Sequence, residues 1–216
     1  KEINMLETLF DKVFIINLDR RGDRMLEAKA EMEKIGVKDY ERVSAVDGQK
    51  LTGNFKVAIG HVGCSLSHLN VVKLAKERGY KNYVVFEDDA VFHPQFQELF
   101  DKFYPEVPQD WDLLFFGRSH VKGFTKITNN VIKMNGSYTT HAMIVKDTLY
   151  DRLIDIWNRL HGTAEVDVAL SKLQKEFKCY SFTPALAWQR AGHSDILERF
   201  DDYKHLKYDK DGNKPE

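Results

Sequence analysis

The chain has 216 residues, 43% hydrophobic, 30% charged and 12% aromatic, with a formal net charge of −1. That profile fits a globular protein with a substantial core and excludes a strong global attraction to nucleic acid or anionic membrane. Cys64 and Cys179 are too far apart in sequence for a metal knuckle or a disulfide framework, so two free thiols are expected.

In chain order, "KVFIIN" at 12–17 is a short apolar run ending in polar "LDRRGDR", which fits a buried strand feeding a loop. Met25, Ala28, Met32 and Ile35 recur at helical spacing, and Gly36 stops that helix. "YERVSA" at 40–45 suits a second strand, and "VDGQKLTGN" a turn-rich loop. Residues 60–79 read as a helix with two apolar stripes, one of Leu66, Leu69 and Val72, the other of Cys64, His68, Val71 and Ala75. Two stripes imply deep burial. "NYVVF" is apolar on both faces, as parallel strands are. A helix near 94–104 starts at Pro94, and "WDLLFFG" at 111–117 is another buried strand.

Residues 118–130 suit a mobile, basic and polar loop, and 131–145 are strand-like. Helices near 147–160 and 165–176 and a last strand at "CYSFTP" follow. The expected organisation is one domain over 1–202 and a polar C-terminal tail over 203–216. No apolar run is long enough to span a membrane. The first residues, "KEINMLETLF", lack the order of a signal peptide. A cytoplasmic location is favoured on that basis, with a lumenal one open if a signal segment was removed.

Strand and helix alternate over the first 117 residues, the order of an α/β fold around a mostly parallel sheet flanked by helices. Such sheets bind ligands at the carboxyl ends of their strands. "IINLDRR", "VVFEDDA" and "LLFFGRSH" each end a strand in polar residues, so these ends should converge on one edge.

The sharpest feature is Glu87-Asp88-Asp89, three acids between two apolar runs. Their repulsion costs stability unless something offsets it. In extended backbone alternate side chains share a face, which would put Glu87 and Asp89 together and Asp88 opposite. Two carboxylates at the mouth of a sheet suit a hard divalent cation. A solvated acidic turn capping the next helix is the plainer alternative.

Six segments in order, "VFIINLDRRGDR", "VSAVDGQKL", "IGHVGCSLSHLNVVKLA", "YVVFEDDAVF", "SYTTHAMIV" and "HSDI", resemble glycosyltransferase family 25. That family includes lipopolysaccharide-type and collagen hydroxylysine galactosyltransferases. The resemblance runs from residue 13 to 196. It implies a GT-A fold, a UDP-sugar donor and Mn2+, with Mg2+ as the alternative. Imidazole in the ligand set favours manganese, because magnesium prefers all-oxygen shells. It further implies transfer of galactose or glucose, with inversion, to a glycan or a hydroxylysine-type protein acceptor. "EDD" would be the DXD motif, with Asp89 a metal ligand, Glu87 near the ribose or reaching the metal through water, and Asp88 toward the donor sugar or the fold.

The same resemblance places Asn17, Leu18 and Arg24 at the donor nucleotide, with Asp47 and Gly48 nearby. Guanidinium groups at a helix start also suit phosphate on chemical grounds. Ser67 would touch sugar or phosphate, while His68 beside it reads rather as a satisfied core histidine. His193 fits the late-chain metal ligand, and Ser194 and Asp195 bind donor or hold the loop. Glu165 and Asp167 begin a helix; Asp167 is the expected general base and Glu165 its substitute, against the plain reading of acids in a first turn. His141 would face the acceptor, and Trp188 would stack on sugar or lie in the core. A catalytically silent relative and a metal-dependent phosphohydrolase or nucleotidyltransferase are the competing readings. The chain lacks a P-loop-type glycine-rich motif.

Overall fold

A computed structural model describes residues 4–119, 123–160, 162–196 and 199–202. The expected tail at 203–216 lies outside the described residues. In chain order the elements are α1 (Met5–Leu9), β1 (Val13–Asn17), α2 (Gly22–Lys34), β2 (Tyr40–Ser44), α3 (Ile59–Glu77), β3 (Asn82–Glu87), β4 (Ala90–Phe92) and α4 (Phe96–Phe103). They continue with β5 (Leu113–Phe115), β6 (Phe124–Lys126), β7 (Val131–Met134), β8 (Ala142–Lys146), α5 (Tyr150–Leu160), α6 (Val166–Leu173), β9 (Cys179–Phe182), β10 (Ala187–Gln189), β11 (Gly192–Ser194) and β12 (Arg199–Asp201).

The main sheet has the order β2-β1-β3-β8-β5-β9-β7-β6. β1 pairs in parallel with β2 and β3, and β5 with β9, while β8 and β7 run against their neighbours. The sheet is therefore mixed, with most strands pointing one way. The strand-like stretch 131–145 is two strands, β7 and β8, separated by a buried loop rather than one run. The stretch 118–130, expected to be a loop, contains β6. The short strands β10, β11 and β12 lie outside the main sheet, β10 pairing with β4 and β11 with β12.

Burial on both faces explains the near-continuous apolar runs. Along β3, Val84 and Phe86 point into one core layer, and Tyr83 and Val85 into the other. β1 divides the same way, Val13 and Ile15 against Phe14 and Ile16. One layer is covered by α1, α2 and α4, and holds an aromatic cluster in which Phe96 and Phe100 stack at 6.0 Å and Phe86 meets Phe92 edge-on at 4.8 Å. The other layer is covered by α3, α5 and α6. Burying side chains of this size is the main favourable contribution to folding.

Chain direction makes the crevice. From β1 the chain passes through α2 to β2 on one side, then returns through α3 to β3 on the other side of β1. Connections leaving in opposite directions open a crevice at the carboxyl ends of β1 and β3, the usual ligand position in such sheets. α3 can approach the loop after β2 only because two residues there lack side chains. A Cβ on Gly63 would lie 2.5 Å from the Val46 carbonyl oxygen, and one on Gly48 would lie 2.4 Å from that of Ile59. Both obstacles are backbone, which cannot swing aside. Gly63→Ala is therefore expected to lower stability by about 1–3 kcal/mol, despite the higher helix propensity of alanine. Urea unfolding of the two proteins measures this, and equal stability would remove the close-approach explanation.

Candidate active site

A cleft of about 780 Å³, open to solvent, lies at the carboxyl ends of β1 and β3. β1 ends at Asn17, whose buried side chain donates to Asp88 Oδ2 at 2.6 Å and to the Arg21 carbonyl at 3.0 Å. Its Oδ1 accepts from Arg42 Nε at 2.9 Å. With both ends of the amide engaged, Asn17 joins the end of β1 to the acidic turn. Leu18, Asp47 and Gly48 line the same cleft. Asp47 accepts from the Gln49 N–H and from Arg20 Nε.

Extended backbone stops at Glu87; Asp88 and Asp89 form the turn into β4. Strand alternation consequently does not apply across the triplet, and the expectation of Asp88 on the opposite side is corrected: Asp88 stands beside Asp89, while the Glu87 charge also reaches Asp89. Asp88 and Asp89 share one guanidinium: Arg24 Nη2 lies 2.8 Å from Asp88 Oδ1 and 2.8 Å from Asp89 Oδ2. Glu87 has partners of its own, accepting from Thr140 Oγ1 at 2.7 Å and meeting His68 Nε2 at 2.9 Å. All three acids line the cleft.

These surroundings divide the three carboxyls electrostatically. Burial works to raise the Glu87 pKa, but the hydrogen bond and charge of His68, with Thr140, hold it down at about 2. Burial pushes Asp88 up to about 6 against the pull of Arg24, and Asp89 is raised by burial too. Asp89 Oδ1 is buried and has no hydrogen-bond partner among the described residues. Its Oδ2 also accepts from Gln189 Nε2 at 3.4 Å.

Arg20, Arg21 and Arg24 converge from the start of α2 on Asp195. Burial favours the protonated Asp195 carboxyl, but these guanidinium groups hold its pKa below the usual range. Asp195 and Ser194 line the cleft. The Ser194 hydroxyl accepts from the Ile196 N–H at 3.3 Å. His193 is exposed on β11, in an adjoining cavity that it shares with Asp89, Arg24 and Ser194. Ser67 lines the cleft, but its hydroxyl donates to the Gly63 carbonyl at 2.7 Å and accepts from the Val46 N–H at 2.8 Å. It holds the loop after β2 against α3.

Glu165 and Asp167 do not line this cleft. Glu165 precedes α6 and lies 3.6 Å from His61 Nε2. Asp167 accepts from the Thr139 N–H at 3.4 Å and from the Val168 N–H at 2.8 Å. Burial, then the Glu165 charge, raises its pKa. Thr139 adopts φ +87°, an uncommon conformation for a β-branched residue. His141, expected to face the acceptor, is buried below the acids, and burial lowers its pKa. Trp188 is half-buried on β10 beside His93. Arg118, one residue past the "LLFFG" strand, is wholly buried and donates to Ser181 Oγ and the Phe182 carbonyl instead of joining the cleft. Gln189 was not expected at the site. The β4–β10 pairing brings it to Asp89 across a separation of 100 residues, and no local motif announces that contact.

The sheet, its crevice and the acidic turn beside a cluster of arginines define a GT-A-type glycosyltransferase fold. A solved glycosyltransferase involved in glycosylation of the major capsid of PBCV-1 superposes with a TM-score of 0.54, covering 87% of this chain and 95% of its own, at 10% identity. The chain belongs to glycosyltransferase family 25 (LPS biosynthesis protein), whose family profile matches residues 10–164. Human procollagen galactosyltransferase 2 is 33% identical over 166 residues, 63% of this chain and 26% of its own length. Human inactive glycosyltransferase 25 family member 3 is 34% identical over 137 residues, 52% and 22% respectively. The chain thus spans about a quarter of the length of these two relatives. The family match contains the cleft acids and Arg24 but stops before Glu165, Asp167 and His193. No helix among the described residues is long and apolar enough to cross a membrane.

The raised Asp88 pKa has a definite sign. A folded-state pKa above the ordinary 3.8 means the folded chain holds that proton more tightly than the unfolded chain. The stability Asp88 contributes is complete below about pH 4 and is lost as pH rises through about 6. Between pH 7 and pH 5 this amounts to about 1 kcal/mol. Urea unfolding at both values is expected to show the increment in the wild type and its loss in Asp88→Asn. The same increment in both proteins would mean that another group titrates.

Proposed function

We propose that this domain is a metal-dependent hexosyltransferase, moving galactose or glucose from a UDP-sugar to a hydroxyl of a glycan or a hydroxylysine-type protein acceptor, with inversion. The observation that carries the reading is the Asp89 carboxylate. One oxygen is fixed by Arg24 and Gln189, and the other is buried with no hydrogen-bond partner among the described residues. A buried acceptor in that condition is costly unless it has a ligand. A divalent cation fits it, and Asp89 with His193 from the adjoining cavity are the proposed ligands. When bound, Mn2+, or Mg2+ in its place, supplies positive charge toward a departing diphosphate.

The chain's own residues supply the rest. Arg20, Arg21 and Arg24 present guanidinium groups suited to phosphate oxygens. Asp195 keeps them gathered at the cleft. Asn17 fixes Asp88 and the end of β1, so the nucleotide side of the cleft is rigid before a donor arrives. Asn17, Leu18, Asp47 and Gly48 form the proposed nucleoside wall, with Glu87 directed to the ribose. Asp167 is the proposed base for the acceptor hydroxyl, and its raised pKa suits proton uptake. Glu165 is its substitute. Removing the base is expected to reduce kcat by about 10²–10⁴.

A second reading, a silent relative that retains the fold, draws on one finding: a similar human relative is named inactive. Calorimetric titration of UDP with and without Mn2+, followed by assay of UDP-galactose and UDP-glucose turnover, separates the two. The expected outcome is metal-dependent UDP binding, lost in Asp89→Asn, and sugar transfer that falls in Asp167→Asn. UDP binding that neither needs metal nor changes in Asp89→Asn would overturn the metal assignment. Metal-dependent binding without turnover of either sugar nucleotide would support the silent reading.

A further inference from the structure

Beside the hard carboxylates of the acidic turn lies a group of different chemistry. Cys64 and His68 are four residues apart on α3, a spacing that puts both side chains on one helix face. Glu87 ends β3 opposite them. The Cys64 sulfur, a His68 ring nitrogen and a Glu87 carboxylate oxygen all lie within 4.8 Å of one another. Donors drawn from a helix and from the neighbouring strand end can close on one ion with small side-chain rotations. At the bond lengths of a tetrahedral zinc site the donors stand roughly 3.5 Å apart, so the His68 nitrogen and Glu87 oxygen, now 2.9 Å apart, separate by about half an ångström while the sulfur closes in by up to about one.

We propose that Cys64, His68 and Glu87 form a three-ligand site for a borderline-soft divalent cation, Zn2+ or Co2+, with a fourth position open to the cleft. All three residues line the cleft, which gives the ion a path of entry and a water for the remaining position. The donor set decides the metal: sulfur with imidazole selects zinc or cobalt over manganese and magnesium, which prefer oxygen. Three protein ligands plus an open position is the pattern of zinc sites that retain an exchangeable water.

Burial, then the Glu87 charge, holds the Cys64 thiol well above its ordinary pKa. Without a cation it stays protonated and is a poor nucleophile. Binding replaces the S–H bond with a metal–sulfur bond and releases the thiol proton, together with the proton on the ligating nitrogen of a charged His68, to solvent through the cleft. His68 exchanges its contact with Glu87 for the ion. Glu87 is then withdrawn from any other ligand in the cleft, so occupancy opposes binding of a molecule that needs that carboxylate.

Cobalt titration of the whole chain tests this, because thiolate-bound Co2+ absorbs in the near ultraviolet by sulfur-to-metal charge transfer. The expected result is a saturable band in the wild type that Zn2+ abolishes. Cys64→Ser, a near-isosteric change, should remove the band and weaken zinc binding by about tenfold or more. Cys179→Ser, which alters the other thiol, buried in β9, should leave the band in place. Asp89→Asn should leave it in place too, which separates this site from the proposed manganese ligand. Absence of the band in the wild type, its survival in Cys64→Ser, or its loss in Asp89→Asn or Cys179→Ser with native circular dichroism would overturn the proposal.

Discussion

One guanidinium organises this end of the molecule. Arg24 rises from the first turn of α2, bridges Asp88 and Asp89 through a single nitrogen, and reaches Asp195 with another. Three segments far apart in sequence are tied by it: the α2 start, the β3–β4 turn and the chain after β11. Its burial would be unfavourable alone, and the Asp89 and Asp88 charges raise its pKa despite that burial. Taking either side away leaves a charge in poor solvent, which costs far more than an exposed ion pair contributes.

The supports around that bridge are neutral and directional. Asn17 engages Asp88 with its amide NH2 and Arg42 with its amide oxygen, so the acidic turn cannot slide along β1. Ser67 pins the loop after β2 to α3, and Gly48 and Gly63 permit the contact distance. Geometry of this kind sets a binding cleft before any ligand enters, which reduces the ordering cost of binding.

Sheet formation and cleft position were legible from the chain alone because both rest on local pattern. Apolar runs at "KVFIIN" and "NYVVF" mark strands buried on two faces, and polar residues at their ends mark the edge where ligands collect. Six ordered segments were enough for the family resemblance. The side-chain period of two ends at Asp88, where a turn begins. Gln189 was not legible, because its approach to Asp89 depends on a strand pairing across 100 residues. The polar end of "LLFFGRSH" was expected on the same edge, yet the Arg118 side chain there turns into the core.

The sequence by itself determined the layers, the family and which residue types meet at the strand ends. Those follow from hydrophobic periodicity and motif order, which are properties of neighbours along the chain. Tertiary structure alone decided which partner each acid meets: Asp88 and Asp89 share Arg24, and Glu87 meets His68. It also decided that Ser67 is a staple and that Asp167 sits outside the cleft wall. The physical reason is range. A carboxylate's protonation and partner are set by charges and burial within a few ångströms, and those neighbours are brought together by folding.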